Sequence, residues 1–358
     1  MLKEIEDEKL AQWLNYMHFI RFEKSDIMEI SEKYLGVYSN HPTSWLSVLA
    51  RNRNKKFEEA IMDEKNEEMV RIPAMRRSKF ILPESLALLI FNATRLSISE
   101  HEWRLKEVDL TLDAYNKSVL KLKEITKDKA LKLNEIKDII GLTSKQISAI
   151  VKVAAYMGTV IRVPSDNAWS NRWLYKSSPS KFEQVNKDKK ELEVEIAQIY
   201  VENYGPVTVK DLSWWLGISK KRAFILMEKI NAVKVDEENW MTKEKKDEFL
   251  KYDLKVEEDK AIRFLPDWDP LLMGYAPDSK ARRCIGLYDI NAYDSRGNGC
   301  PVVFISGKAI ALWKVAKVKN KRVMNIKIIN NKYDKYRDQI EKAAKEYAER
   351  IGVIYKEM

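Results

Sequence analysis

The chain has 358 residues, 45% of them hydrophobic, and its 64 Lys and Arg outweigh 54 Asp and Glu for a formal charge of +10. That length exceeds a single hydrophobic core and predicts two to four domains of about 100–150 residues each. No window approaches the ~18 uninterrupted apolar residues of a membrane span, Cys284 and Cys300 cannot make a disulfide framework, and His18, His41 and His101 lack metal-ligand spacing. The charged, acidic start MLKEIEDEKL has no secretory apolar region, so a cytoplasmic protein without metal or cofactor is expected. The cationic excess favours a polyanionic partner, nucleic acid first and an anionic membrane second.

In chain order, the first feature is YLGVYSNHPTSWLSVLARN (Tyr34–Asn52). Leu35-Gly36-Val37 turns the chain through Tyr38, Ser39, Asn40 and His41 into an amphipathic run that starts near Pro42. Proline suits the first helical position, and Asn40 or His41 suits the cap before it. Trp45, Leu46, Leu49 and Val48 would supply the buried face. MVRIPAMRRSKFILP follows as a hairpin, with strands Met69–Ile72 and Lys79–Leu82 and Arg76-Arg77 near its tip.

The same pattern returns at EIKDIIGLTSKQISAIVKVAAYMGTVIRV (Glu135–Val163) and at DLSWWLGISKKRAFILMEKINAVKV (Asp211–Val235). Gly141 and Gly217 are placed to end a first helix in the left-handed conformation, and Thr143 and Ser219 to cap a second. Short β-prone pairs come next, Val160–Val163 with Trp173–Tyr175, and Val233–Val235 before DEENW. Upstream, Thr208 with Asp211 three residues on approaches a capping box. A helix-turn-helix followed by a hairpin is a winged helix, and Leu35-Gly36-Val37 matches the two later elbows. Glu183–Glu193 reads as a Lys/Glu-rich connector and Lys243–Lys260 as a charged separator. From Ile262, alternating β-branched runs with Gly turns predict an antiparallel sheet or small barrel, closed by an amphipathic helix over Tyr333–Ile351. The expected fold class is therefore α+β: three tandem winged-helix modules (1–97, 98–182 and 183–252), then a small antiparallel β domain with a C-terminal helix (253–358).

These stretches resemble the winged-helix DNA glycosylases that release alkylated purines and unhook interstrand crosslinks. The likeness rests on VRIPAMRRSKFILP, YGPVTVKDLSWWLGI, FLPDWDPLLMGY and PVVFISGKAIALWKV, in that order, and extends over nearly the whole chain. It implies a monofunctional N-glycosidic hydrolase acting in DNA repair on alkylated or crosslinked double-stranded DNA, cytoplasmic or on the nucleoid. In that family a Gln-x-Gln or Gln-x-Asp pair after the Leu-Gly elbow holds the water that attacks the sugar C1′. The pair falls here on Tyr38 and Asn40, and the family's Met-Arg-Gly-Thr-Leu-His becomes Met75-Arg76-Arg77-Ser78-Lys79-Phe80.

Asn40 keeps the amide of Gln on a side chain one methylene shorter, whereas the Tyr38 hydroxyl, with a pKa near 10, is a poor base. Asn40 and Tyr38 are thus the candidate catalytic residues. The competing reading gives Asn40-His41-Pro42 a capping role and makes Tyr38 a packed aromatic. Trp214 and Trp215 read as core residues, and Asp267 and Asp269 in LPDWDP as turn residues before Pro270. Arg76 and Arg77 at the hairpin tip, with Lys79 beside them, are expected to contact DNA. Arg51, Lys145, Gln146, Lys220, Lys221, Arg222, Arg282 and Arg283 complete the candidate DNA contacts. Three functions follow: a glycosylase for bulky or crosslinking alkyl adducts, a non-catalytic duplex-binding protein that lost the pair, or a winged-helix assembly that binds protein.

Overall fold

Each elbow turns on a left-handed backbone at the end of its first helix. The computed structural model describes residues 4–40, 43–179, 182, 188–252 and 261–358. His41 and Pro42, part of the Glu183–Glu193 connector, the end of the Lys243–Lys260 separator and the expected boundaries at 183 and 253 lie outside the described residues.

The chain opens with α1 (Asp7–His18) and α2 (Ile27–Tyr34), the latter capped by the Asp26 carboxylate on the Glu29 N–H. Helix α2 ends on Leu35 at φ 58°, followed by Gly36 at φ 99°. A left-handed leucine costs about 1–2 kcal/mol. Gly36 has to stay small, because a Cβ there would stand 2.8 Å from Leu82 Cδ2. Then come β1 (Val37–Tyr38), α3 (Ser44–Arg51), α4 (Phe57–Glu64), the hairpin β2 (Met69–Pro73) and β3 (Lys79–Pro83), and α5 (Glu84–Thr94). Trp45, Leu46, Val48 and Leu49 on α3 are all buried.

The next stretch holds α6 (Glu102–Lys106), α7 (Leu112–Ile125), β4 (Leu131–Lys132), α8 (Leu133–Ile140), α9 (Ser144–Tyr156), β5 (Val160–Val163) and β6 (Leu174–Ser177). Gly141 ends α8 at φ 81°, and Thr143 with Gln146 closes a reciprocal cap on α9. Beyond it lie α10 (Lys189–Tyr204), β7 (Val207–Thr208), α11 (Val209–Leu216), α12 (Lys220–Lys229), β8 (Val233–Lys234), β9 (Asn239–Met241) and α13 (Lys243–Lys251). Gly217 ends α11 at φ 70°, Ser219 caps α12, and Thr208 with Asp211 caps α11. The first half of the charged separator is thus a helix: Phe249 and Tyr252 at its end set their rings 5.4 and 5.2 Å from Trp13. Its charge pattern hid that single apolar stripe.

The C-terminal part comprises β10 (Ile262–Leu265), α14 (Pro270–Met273), α15 (Lys280–Cys284), β11 (Val302–Ile305), β12 (Lys308–Val318), β13 (Lys321–Lys327), α16 (Arg337–Arg350) and β14 (Ile354–Tyr355). Strands β10 to β13 run as an antiparallel meander, and β14 joins β13 in parallel. Cys284 and Cys300 are free thiols.

Sheet topology departs from a set of separate hairpins. Strand β2 pairs with β5 through Arg71 opposite Arg162, giving one six-stranded sheet in the order β1-β3-β2-β5-β6-β4. Packing divides differently again. One cluster of buried apolar residues runs through residues 5–93, 182–249 and 264–351, while a second, from Leu105 to Tyr175, is built within residues 98–175.

The large cluster contains one buried ion pair that crosses it. Arg51 at the end of α3 and Asp269 at the cap of α14 both have 0% side-chain exposure. Arg51 Nη1 and Nη2 each donate to a different Asp269 oxygen at 2.8 Å. Ser47 Oγ at 2.8 Å and the Leu271 N–H at 3.0 Å complete the carboxylate. The guanidinium also lies 5.6 Å from the Phe19 ring centre and 5.4 Å from that of Tyr34. Removing one partner of such a pair leaves an uncompensated buried charge, so Arg51→Ala is expected to destabilise the fold by about 3–5 kcal/mol. Urea unfolding monitored by tryptophan fluorescence measures this, and a loss below 1 kcal/mol, the size of an exposed pair, would refute the assignment.

Candidate active site and nucleic-acid interface

The first elbow presents Tyr38, Ser39 and Asn40 in three different states. Tyr38, 3% exposed, pairs across to Phe80 and packs its ring 4.3 Å from Phe80 and 6.3 Å from Trp215. Its hydroxyl accepts from Arg76 Nη2. Burial pushes the phenol pKa up against the pull of Arg76, so Tyr38 stays neutral and is no base. Ser39 is buried, accepts from Arg71 Nε at 2.9 Å, and sits above the buried Arg71–Glu64 pair at 2.9 Å. Asn40 is half-buried, and its carboxamide makes no hydrogen bond among the described residues. Of the three, Asn40 alone has its polar group available.

The hairpin tip supports this elbow. Arg76 and Arg77 have φ of 51° and 59°, a left-handed pair outside glycine. This turns Arg76 inward, where its guanidinium lies 4.5 Å from the Trp214 ring and 5.5 Å from Trp215. It also donates to the Met273 carbonyl at 3.4 Å, and its Cγ lies 3.4 Å from where a Gly217 Cβ would project. Arg76, read from the sequence as a tip contact to DNA, thus docks its side chain on the α11–α12 elbow. Arg77 is exposed.

Other expected DNA contacts are also committed internally. Arg51 is buried on Asp269, because α3 turns its C-terminal end into the core. Arg282, 2% exposed, donates to the Tyr275 carbonyl and lies 4.2 Å over the Tyr293 ring. Arg222 is held by Glu193 at 2.6 and 2.8 Å, a carboxylate on α10 that chain order does not bring near. Gln146 caps its own helix and reaches the Val108 carbonyl at 3.3 Å. Lys145, Lys220, Lys221 and Arg283 are exposed, the last donating to the Asp278 carbonyl. Trp215 is fully buried, whereas Trp214 is half-buried with Nε1 donating to the Met273 carbonyl at 3.3 Å.

Nearby carboxylates are equally occupied. Asp269 serves Arg51, and Asp211 accepts from the Thr208 hydroxyl at 2.8 Å and the Ala276 N–H at 2.7 Å. Glu64 serves Arg71. These acids are bound into the scaffold, so none of the three is a free base beside the elbow. Among the described residues no group of His, Cys, Asp and Glu could hold a metal, and no helix is long and apolar enough to cross a membrane.

The fold is similar to that of the solved DNA glycosylase AlkZ of Streptomyces sahachiroi. The two match with a TM-score of 0.70 at 16% identity, over 99% of this chain and 100% of the other. A comparison with curated protein sequences gave no significant match. The family model for AlkZ-like DNA glycosylases matches residues 39–350, and the chain belongs to that family. Its membership implies a DNA substrate and a place in DNA repair.

Lys79 is an expected contact whose titration is displaced into an accessible pH range. It is half-buried beside Tyr156, with Nζ 3.3 Å from the Tyr156 hydroxyl. Burial first, then Arg162, Lys152 and Arg104, lower its pKa from 10.5 to about 8. A lysine whose folded pKa is depressed binds fewer protons when folded than when unfolded, so stability rises with pH between the two values. The penalty is fully present below pH 8 and relieved by pH 10.5. Lys79→Met is expected to flatten that rise in urea midpoints taken across the window; equal slopes in both proteins would contradict the displaced pKa.

Proposed function

We propose that the chain is a double-stranded-DNA-binding protein of three winged-helix modules that hydrolyses the N-glycosidic bond of alkylated or crosslinked purines. The modules run over 1–97, 98–182 and 183–252, with the β domain at 253–358. The elbows at Leu35, Gly141 and Gly217, each with a following pair of antiparallel strands, support this reading.

The observation that carries the chemistry is the available Asn40 carboxamide beside a buried, neutral Tyr38. An N3- or N7-alkylated purine is already a cation, so its bond to the sugar breaks without a strong acid. What remains is to expose the nucleotide, tolerate the cationic sugar and place one water. Asn40 Oδ1 accepts a hydrogen bond from that water and directs its lone pair at C1′. Tyr38 acts as a positioning residue: its hydroxyl receives Arg76, which fixes the hairpin tip against the elbow. The protein then acts on DNA without a cofactor, consistent with a cytoplasmic or nucleoid setting.

A second reading follows from the engaged Tyr38 hydroxyl: one of the two water-holding positions is occupied by Arg76, as suits a scaffold kept for binding alone. The reactions differ. Duplex DNA carrying N7-alkylguanine is incubated with excess protein, and abasic sites are scored over time. Asn40→Ala is expected to slow release about 100-fold, with duplex affinity retained. Release no faster than this variant, across several alkyl lesions, would leave the binding-only reading.

A further inference from the structure

Tyr156, at the end of α9, is ringed by cations from four elements. Its ring stacks on His101 with centroids 4.7 Å apart and interplanar angle 16°. Lys79 Nζ lies 5.1 Å and Arg104 Cζ 5.8 Å from its centre. Its hydroxyl accepts from Lys79 and donates to the Arg77 carbonyl at 3.1 Å. Arg162, on β5, rests over Trp173 at 5.6 Å, and exposed Lys152 projects from α9.

Arg77, Lys79, Arg104, Lys152 and Arg162 thus share one face that spans the β3 hairpin, α6, α9 and β5. Among the described residues none of the five is in an ion pair. Glu100 and Glu107 reach only its margin, acting on His101 and Lys152. Protein surfaces seldom gather like charges this way without compensation, because each cation raises the cost of the next. Lys79 and Lys152 both register the cost as lowered pKa values, led by burial and then by their cationic neighbours. Among the described residues the buried Arg104 Nε has no hydrogen-bond partner, so that guanidinium is not committed to a protein carboxylate.

We propose that this face, Arg77, Lys79, Arg104, Lys152 and Arg162 around Tyr156, binds consecutive backbone phosphates of one strand of duplex DNA. A run of phosphates supplies several anions at fixed spacing, which five unpaired cations across four elements match better than one small anion. The face straddles the β2–β5 junction, so the strand is gripped jointly by the hairpin beside the elbow and by the stretch with its own core. It rests on the proposed action on DNA and adds where the strand lies. The cations that sequence singled out on the α12 helix are not needed for it.

The test is fluorescence anisotropy with undamaged labelled duplex over a salt series. Lys152→Gln and Arg162→Gln are each expected to weaken binding several-fold and to lower the slope of log affinity against log salt by about 0.9. Lys345→Gln on α16 is expected to leave both unchanged. Lys152 is exposed, so its substitution spares the core, and thermal midpoints verify that both variants are folded. Unaltered affinity and slope in both, with the wild type still salt-dependent, overturn this face and leave the proposed function standing. A wild type that binds no duplex removes both. Loss of inorganic pyrophosphate binding by calorimetry, with duplex affinity kept, assigns the face to a free anion and overturns the strand.

Discussion

The Arg51–Asp269 pair is the contact on which the placement of the elbow depends. Two fully buried charges exchange two hydrogen bonds at 2.8 Å, joining the helix after the elbow to α14, between β10 and β11. Desolvating both ions costs several kcal/mol, so the pair adds specificity of docking more than net stability. Asp269 has its remaining capacity filled by Ser47 and the Leu271 N–H, which leaves few alternative arrangements. The Met273 carbonyl, at the end of the same short helix, then receives Arg76 and Trp214. A chain of contacts thus runs from α3 through α14 to the hairpin tip and back to Tyr38.

An aromatic mass fills the space behind that chain. His18 stacks on Tyr34 at 5.0 Å and its Nε2 meets the Tyr275 hydroxyl at 3.0 Å. Burial, with Arg51 and Arg21 nearby, holds its pKa well below 6.5, so the imidazole is neutral at physiological pH. Tyr204 and Trp215 carry the packing on to Tyr38. Polar hydroxyls in this mass are satisfied by backbone carbonyls: Tyr34 on Met17, Tyr275 on Tyr204, Tyr200 on Gly274. The platform beneath Asn40 is held by interlocking rings and by tyrosine hydroxyls that reach backbone carbonyls.

Local chemistry was legible in the sequence, and long-range partnership was not. Gly141, Gly217, Thr143, Ser219 and Thr208 announced helix ends, because capping is decided within a few residues. The hairpin at Met69–Pro83, the C-terminal antiparallel strands and the family were likewise readable from short motifs. Charge misled. Arg51, Arg76, Arg222 and Arg282 carry the same side chain as Arg77, yet their guanidiniums answer to Asp269, Tyr38, Glu193 and Tyr275, groups 7 to 218 positions away. At the elbow, the signal for Ser39 was its place between Tyr38 and Asn40; its partner Arg71 lay hidden in an apolar strand. Of the cations around Tyr156, Arg77 and Lys79 were readable at the hairpin, whereas Arg104, Lys152 and Arg162 come to it from other elements that no local motif links.

The joined sheet has a consequence for how the chain tolerates change. Residues 98–175 have a buried core of their own, yet Ile161, Ala168 and Trp169 pack on the larger one, and the Arg71–Arg162 pair joins the strands of the two. A volume change at Ile147 or Ile150 is therefore met first by the smaller core, whereas one at Ile161 or Trp169 falls on the larger. Sequence drift can proceed at different rates on either side of that seam, while the residues along it must change together.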